Sequence, residues 1–217
     1  AAHYWMGGVA TNLRAETTLA GLFAVGEIAC TGIHGANRLA SNSLMECLVF
    51  ARKMSTIQLT ETALFQGKKY RNFANDCSLP LSGEVTAESL VRAIQELRQL
   101  CWREAGLTRS FRGMQLAVSQ IHQNFEHLIE QPLLQMMNKQ PKEMSTSLDE
   151  ISRRDLNLLL DLSNRQLTSS LLLESCLFRR ESRGGHFRTD VPASVPYWKC
   201  HSRQEIGKRL STRPVKE

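Results

Sequence analysis

Glycine is unevenly spread along this chain, and that unevenness limits what the chain can fold into. Gly7, Gly8, Gly21, Gly26, Gly32 and Gly35 fall within the first fifty residues, six of the thirteen glycines in a 217-residue sequence. Glycine lacks a Cβ, so it turns the chain where other residues clash and lets backbone approach a neighbour closely. Such a segment folds around turns and short strands rather than as one long helix. Beyond residue 85 the texture reverses, and apolar residues recur at helical spacing. Hydrophobic residues make up 42% of the chain and charged residues 22%, a composition that excludes general disorder. No apolar run approaches the roughly 20 residues needed to span a bilayer.

In the glycine-rich part, His3–Met6 and Leu22–Val25 read as short strands, the second being an apolar run stopped by Gly26. A helix begins at Ser41 or Asn42 and runs through Leu44, Leu48, Val49 and Met54 into the sixties. From Gly67 to Val85 the breakers Asn72, Asn75, Asp76, Pro80 and Gly83 mark a linker. A helix follows over Thr86–Ala105, with Leu90, Ile94, Leu97 and Cys101 in phase and Gly106 as its C′ residue. A second covers Ser110–Glu130, after which Pro132 closes the segment or starts a new turn. Ser147 and Glu150 have capping-box spacing. The last helix runs from there to about Arg183, with a break expected near Ser152–Asp155. Three amphipathic helices with short connections argue for an antiparallel bundle.

The formal charge of +6 suggests nucleic acid until it is located. Residues 1–178 hold 17 basic and 17 acidic side chains, whereas residues 179–217 hold 10 and 4. The excess belongs to a C-terminal tail, read as a solvated, partly ordered extension. Its basic residues are not interleaved with aromatics as in a single-strand binder, so no nucleic-acid partner is expected. The six cysteines, Cys30, Cys47, Cys77, Cys101, Cys176 and Cys200, form no C-x-x-C pair and no zinc spacing. They read as reduced thiols in a cytoplasmic compartment, with no metal.

Chemistry concentrates where the glycines are. Glu27 follows a strand end, where α/β sheets bind ligands and a carboxylate accepts ribose-like hydroxyls. A helix opening at Asn42-Ser43-Leu44 directs free N–H groups and a positive dipole end toward whatever precedes it. Arg38 offers a planar fork to a carboxylate, and His3 can donate a hydrogen bond or a proton. The helical part is poorer: Trp102, His122 and His127 read as structural residues.

Three blocks carry a resemblance: His3-Tyr4-Trp5-Met6-Gly7-Gly8, Gly21–Glu27, and Thr31–Phe50 with its H-G-A-N-R and S-N-S-L-x-E-C-L-V runs. They resemble the L-aspartate oxidase family, a branch of the flavoproteins that include the succinate dehydrogenase and fumarate reductase flavoprotein subunits. Arg179–His186 is similar to that family's R-x-E-S-R-G-x-H, with Asp190 and Pro192 after it. The resemblance implies an α+β fold: the C-terminal remnant of an FAD-binding α/β domain over residues 1–66, a linker over 67–85, an antiparallel three-helix bundle over 86–186, and a basic tail over 187–217. It implies FAD as cofactor, with Glu27 on the ribityl or ribose hydroxyls and Asn42, Ser43 and Leu44 at the isoalloxazine. It implies that His3 and Arg38 hold the carboxylates of L-aspartate or another C4 dicarboxylate. The implied reaction is oxidation of L-aspartate to iminoaspartate, the first step toward quinolinate and NAD, with O2 or fumarate as acceptor and possible contact with quinolinate synthase. Two positions depart from the family: Trp5 stands where threonine is usual, and Ala51 where glycine is usual.

The family's G-x-G-x-x-G motif does not occur in this sequence, nor does the capping domain that supplies the catalytic base. The expectation is therefore a C-terminal portion that contains no catalytic base, binds FAD weakly by itself and has no oxidase turnover. Two other readings stay open, a fumarate reductase-like or succinate dehydrogenase-like flavoprotein and a non-catalytic helical interaction module with a basic tail.

Overall fold

Helix α5, Glu150–Phe178, is the element on which the larger part of the molecule is organised. The computed structural model describes residues 4–58, 78, 80–138 and 148–215. The chain divides into two compact units, Ala1–Gly67 with Arg183–His186, and Lys68–Ser182 with Phe187–Glu217. Both are mixtures of helices and small sheets, and among the described residues no helix is long and apolar enough to cross a membrane.

In the larger unit, helices α2 (Ala87–Ala105) and α3 (Phe111–Ile129) pack on each other and on α5, and the short α4 (Pro132–Asn138) packs on α5. Leu97, Met114, Ile121, Leu133, Leu159 and Leu173 form the centre of one contiguous core. The helix starts follow capping chemistry. The Thr86 hydroxyl accepts the Ser89 N–H at 3.1 Å while Ser89 Oγ takes the Thr86 N–H at 2.9 Å, and Ser110 accepts from Gly113. Pro132 opens α4, where its missing N–H costs nothing. Gly106 follows α2 with φ −71°, without the left-handed turn expected of a C′ glycine.

Three expectations for α5 change. Its N-cap is Asp149, whose carboxylate accepts the Ser152 N–H at 2.7 Å; Ser147 lies outside the described residues. The helix runs without the break expected at Ser152–Asp155, because Ser152 and Asp155 sit on its buried face in phase with Leu159 and Leu162. It stops at Phe178 rather than near Arg183. The buried Arg188 guanidinium donates to the carbonyls of Cys176, Leu177 and Arg179, satisfying the end of the helix from outside it. The basic C-terminal region is more ordered than expected. After a 3-10 turn at Pro196–Trp198, β3 (Cys200–Arg203) pairs antiparallel with β4 (Ser211–Pro214), Cys200 opposite Pro214 and Arg203 opposite Ser211.

In the smaller unit the strands are not those expected. Strands β1 (Val9–Ala10) and β2 (Ala29–Cys30) pair in parallel, with Val9 opposite Ala29. Tyr4–Met6 forms no strand, and within Leu22–Val25 only Phe23 makes a single bridge, to Glu16. Hydrophobicity marked those runs, but a strand needs a partner, and the partner found is the segment beyond Gly8. Gly8 has φ +122°, and a Cβ there would stand 2.2 Å from the Ile28 carbonyl oxygen, so only glycine lets the strands meet. Helix α1, Asn42–Met54, is shorter than expected. Ser55 Oγ and Thr56 Oγ1 bond back to the Arg52 and Lys53 carbonyls and draw the chain into turns.

Candidate functional site

The smaller unit brings Tyr4, Thr31, His34, Arg38 and Glu46 into one cluster. Helix α1 repeats with a period near four, and Glu46 shares its inward face with Phe50. Glu46 is therefore a carboxylate on a buried helical face, 3% exposed, and must be paired to remain there. Its Oε2 lies 2.7 Å from His34 Nε2, and Thr31 Oγ1 donates to its Oε1. Both side chains of the His34–Glu46 pair are nearly excluded from water, at 8% and 1% exposure. On the other side of His34, Tyr4 Oη is 3.2 Å from the same Nε2, and the two rings meet edge to face with centroids 5.1 Å apart.

Arg38 completes the cluster. Its guanidinium carbon lies 4.7 Å from the centroid of the Tyr4 ring, within cation–π range. One Nη1–H donates to the Leu39 carbonyl at 3.4 Å. Burial raises the Tyr4 phenol above its ordinary pKa, Glu46 and Glu27 add to this, and Arg38 opposes it. Burial likewise raises the Cys30 thiol.

The loop between the cluster and α1 leaves the helix start open. Ser41 sits at φ 70°, an uncommon conformation outside glycine, and its side chain does not cap. No acidic residue occupies the first turn. Among the described residues, no acceptor takes the Ser43 or Leu44 N–H. Arg183–His186 closes the unit from far along the sequence, with the Gly185 N–H on the Ala36 carbonyl at 3.1 Å. At Gly184 (φ +57°) a Cβ would lie 2.1 Å from that carbonyl oxygen. The R-G-G-H segment thus braces the H-G-A-N-R loop.

The residues singled out in the sequence fare differently. His3 lies outside the described residues, as does Cys77. Arg38 stands in the cluster, half-buried. Glu27 is exposed, and its Oε1 accepts the Trp5 N–H at 2.8 Å. Asn42, Ser43 and Leu44 form the first turn of α1. His34, the first residue of the H-G-A-N-R run, is the junction of the cluster. Glu46 was missed, although an acidic residue in phase with Phe50 on an otherwise apolar face was the available signal. His122 bonds Ser170 and Glu174 in the larger unit, in keeping with a structural part. Among the described residues no group of His, Cys, Asp and Glu is arranged to hold a metal.

Two buried polar atoms lack a partner here, His34 Nδ1 and Arg38 Nε. An orphaned donor on a cation beside an uncapped helix start is the chemistry an anionic or carbonyl-bearing group would complete. These residues fit a group that accepts hydrogen bonds, such as a carboxylate or a ring carbonyl.

Residues 1–44 match the FAD binding domain family, and residues 94–216 match the fumarate reductase flavoprotein C-terminal family. The L-aspartate oxidase of Nostoc sp. is 39% identical over 209 residues, covering 93% of this chain and 35% of the relative. That of Synechocystis sp. is 35% identical over 215 residues, covering 99% of this chain and 38% of the relative. The chain thus spans little more than a third of the length of these curated relatives. Among solved structures, the quinol fumarate reductase flavoprotein of E. coli superposes with a TM-score of 0.69 at 25% identity, covering 100% of this chain and 37% of that one.

Proposed function

We propose, from the premise that this chain belongs to the fumarate reductase flavoprotein C-terminal family, that it serves the FAD-dependent oxidation of L-aspartate to iminoaspartate. FAD is the cofactor. When bound, it supplies a two-electron acceptor for the hydride leaving the substrate Cα. The remaining work falls to side chains. Arg38 binds one substrate carboxylate through its guanidinium fork, and His3 the other. The open N–H groups of Ser43 and Leu44, with Asn42 beside them, would hold the flavin ring and would favour the negative charge of its reduced form. Glu27 holds a cofactor hydroxyl. No residue of this chain is assigned as the catalytic base. The observation that carries the reading is Arg38, held against Tyr4 with a buried, unpartnered Nε beside an uncapped helix start.

Around that core we place O2 or fumarate as electron acceptor, a step leading to quinolinate and NAD, and contact with quinolinate synthase. We place the protein in the cytoplasm, supported by free thiols at Cys30, Cys47, Cys101, Cys176 and Cys200. Residues 1–66 are read as part of an FAD-binding domain, 67–85 as a linker, 86–186 as an antiparallel three-helix bundle and 187–217 as a basic tail. The mutual packing of α2, α3 and α5 supports the bundle.

The test is anaerobic titration of the flavin of the full-length enzyme that contains this sequence, with L-aspartate and, separately, with succinate. Bleaching of the flavin by L-aspartate alone, lost in Arg38→Leu, supports the reading. Bleaching by succinate alone moves the chain to the fumarate reductase-like alternative, which the 0.69 superposition favours. A response to both that is untouched by Arg38→Leu removes Arg38 from the substrate site.

A further inference from the structure

The cluster contains more than its proposed substrate ligand. Arg38 rests on the Tyr4 ring, Tyr4 on His34, and His34 on Glu46, and the last two are nearly excluded from water. A guanidinium on a long, flexible stem does not hold one orientation by itself. We propose that Tyr4 is the positioning residue for Arg38, and that Glu46 and His34 act through it, so that a chain of side chains that need not touch substrate sets the direction of the carboxylate fork. The inference rests on the reading of Arg38 as a carboxylate ligand.

The chemistry of His34 makes the chain directional. Nε2 has two neighbours, the Glu46 carboxylate at 2.7 Å and the Tyr4 hydroxyl at 3.2 Å, and only one hydrogen or one lone pair with which to meet them. With Glu46 ionised, Nε2 carries the hydrogen, gives the larger share to the carboxylate and leaves Tyr4 Oη as the second, longer acceptor. Glu46, fixed in turn by Thr31, therefore decides both the tautomer and the tilt of the imidazole. The tilt fixes the edge-to-face contact with Tyr4, whose rings stand 81° apart. The plane of the Tyr4 ring then decides where a cation finds its negative face. Among the described residues nothing else holds Arg38 as firmly: its hydrogen bond to Leu39 is long at 3.4 Å, and its Nε has no partner.

The experiment reads Arg38 directly, in the 217-residue chain labelled at arginine, through the Nε–Hε cross-peak that disappears in Arg38→Lys. Stacked on an aromatic face, that peak is expected upfield of the position of free arginine in the same buffer. Tyr4→Leu should return it to that position, and Tyr4→Phe, which keeps the ring, should restore most of the displacement. Glu46→Gln should shift the Arg38 peak in the native background and leave it unmoved in the Tyr4→Leu background, where both the ring contact and the hydroxyl link are gone. The Arg14 peak reports that each variant remains folded. If Glu46→Gln unfolds the unit, Thr31→Val replaces it, because it loosens the same carboxylate more gently.

An Arg38 peak unchanged by Tyr4→Leu, or moved equally by Glu46→Gln in both backgrounds, overturns the proposal. Titration of the native sequence with FAD and L-aspartate separates the two levels. If the variants behave as expected but L-aspartate leaves the Arg38 peak still, the carboxylate role fails and the positioning stands. If the ligand binds, Tyr4→Leu should weaken it about threefold to tenfold, the range of one partly shielded cation–π contact.

Discussion

The two units solve the burial problem in opposite ways. The larger one closes on itself: Met114, Ile121, Leu133, Leu159 and Leu173 are at most 1% exposed, and most buried polar groups around them are paired. The smaller one buries Ala15, Ala29 and Phe50 and leaves Leu13, Leu39, Leu44 and Leu48 more than half exposed, while the ionisable side chains of His34 and Glu46 are shielded about as well as its few apolar core residues. A core of carbon sets stability, whereas a core of paired polar groups sets geometry at a cost in stability. The comparison teaches that an apolar core holds the helical unit, whereas the glycine-rich unit uses part of its burial to orient a few polar side chains.

Substitutions can break or sharpen this contrast. The largest effect is expected for Leu159→Ala, which opens a cavity at a fully buried site and should cost about 2–5 kcal/mol in urea unfolding followed by helical circular dichroism. Asp190→Asn comes next. It removes the ionic partner of the buried Arg188 and should cost about 1–2 kcal/mol at neutral pH. That difference has a pH signature. The hydrogen bonds and charge of Arg188 hold the Asp190 carboxyl below its ordinary pKa, so its stabilisation is complete above the usual carboxylate range and lost as pH falls through the depressed value. Native and Asp190→Asn stabilities should therefore begin to converge below about pH 4 and meet only below the depressed value; parallel curves would separate Asp190 from the acid limb. Ser110→Ala, which removes the N-cap of α3, should cost about 1 kcal/mol by the same assay.

The smallest effect is expected in the other unit, where Leu48→Ala removes a side chain 59% exposed and should change stability by no more than about 0.5 kcal/mol. Amide exchange extends the contrast, with α1 expected to exchange before the centre of α5 because fewer buried contacts must open. A cost above about 2 kcal/mol for Leu48→Ala would mean that a buried apolar core reaches the outer face of α1.

Much of the helical part was legible because helix formation is local: the helix starts at Thr86 and Ser110, the spacing of Leu90, Ile94 and Leu97, and Pro132 all act within a few residues. The errors arose where the deciding partner is distant. Strands were read at Leu22–Val25 from hydrophobicity, yet β1 and β2 exist because Gly8 admits the Ile28 carbonyl. The end of α5 was placed near Arg183 because its real cap, Arg188, returns from beyond the turn. In the site, Arg38 and the helix start at Asn42 were visible as motif positions, whereas Glu46 looked like one more helical carboxylate.

Residue order alone determined the two textures of this protein, its helices and its membership in a flavoprotein family, because spacing, capping and motif identity are carried by neighbouring residues. Tertiary structure decided the rest. It chose which strands pair, let Gly184 brace Ala36 across nearly 150 residues, and joined Glu46, His34, Tyr4 and Arg38. Those outcomes depend on distances between residues far apart in the chain, and only the folded backbone sets those distances.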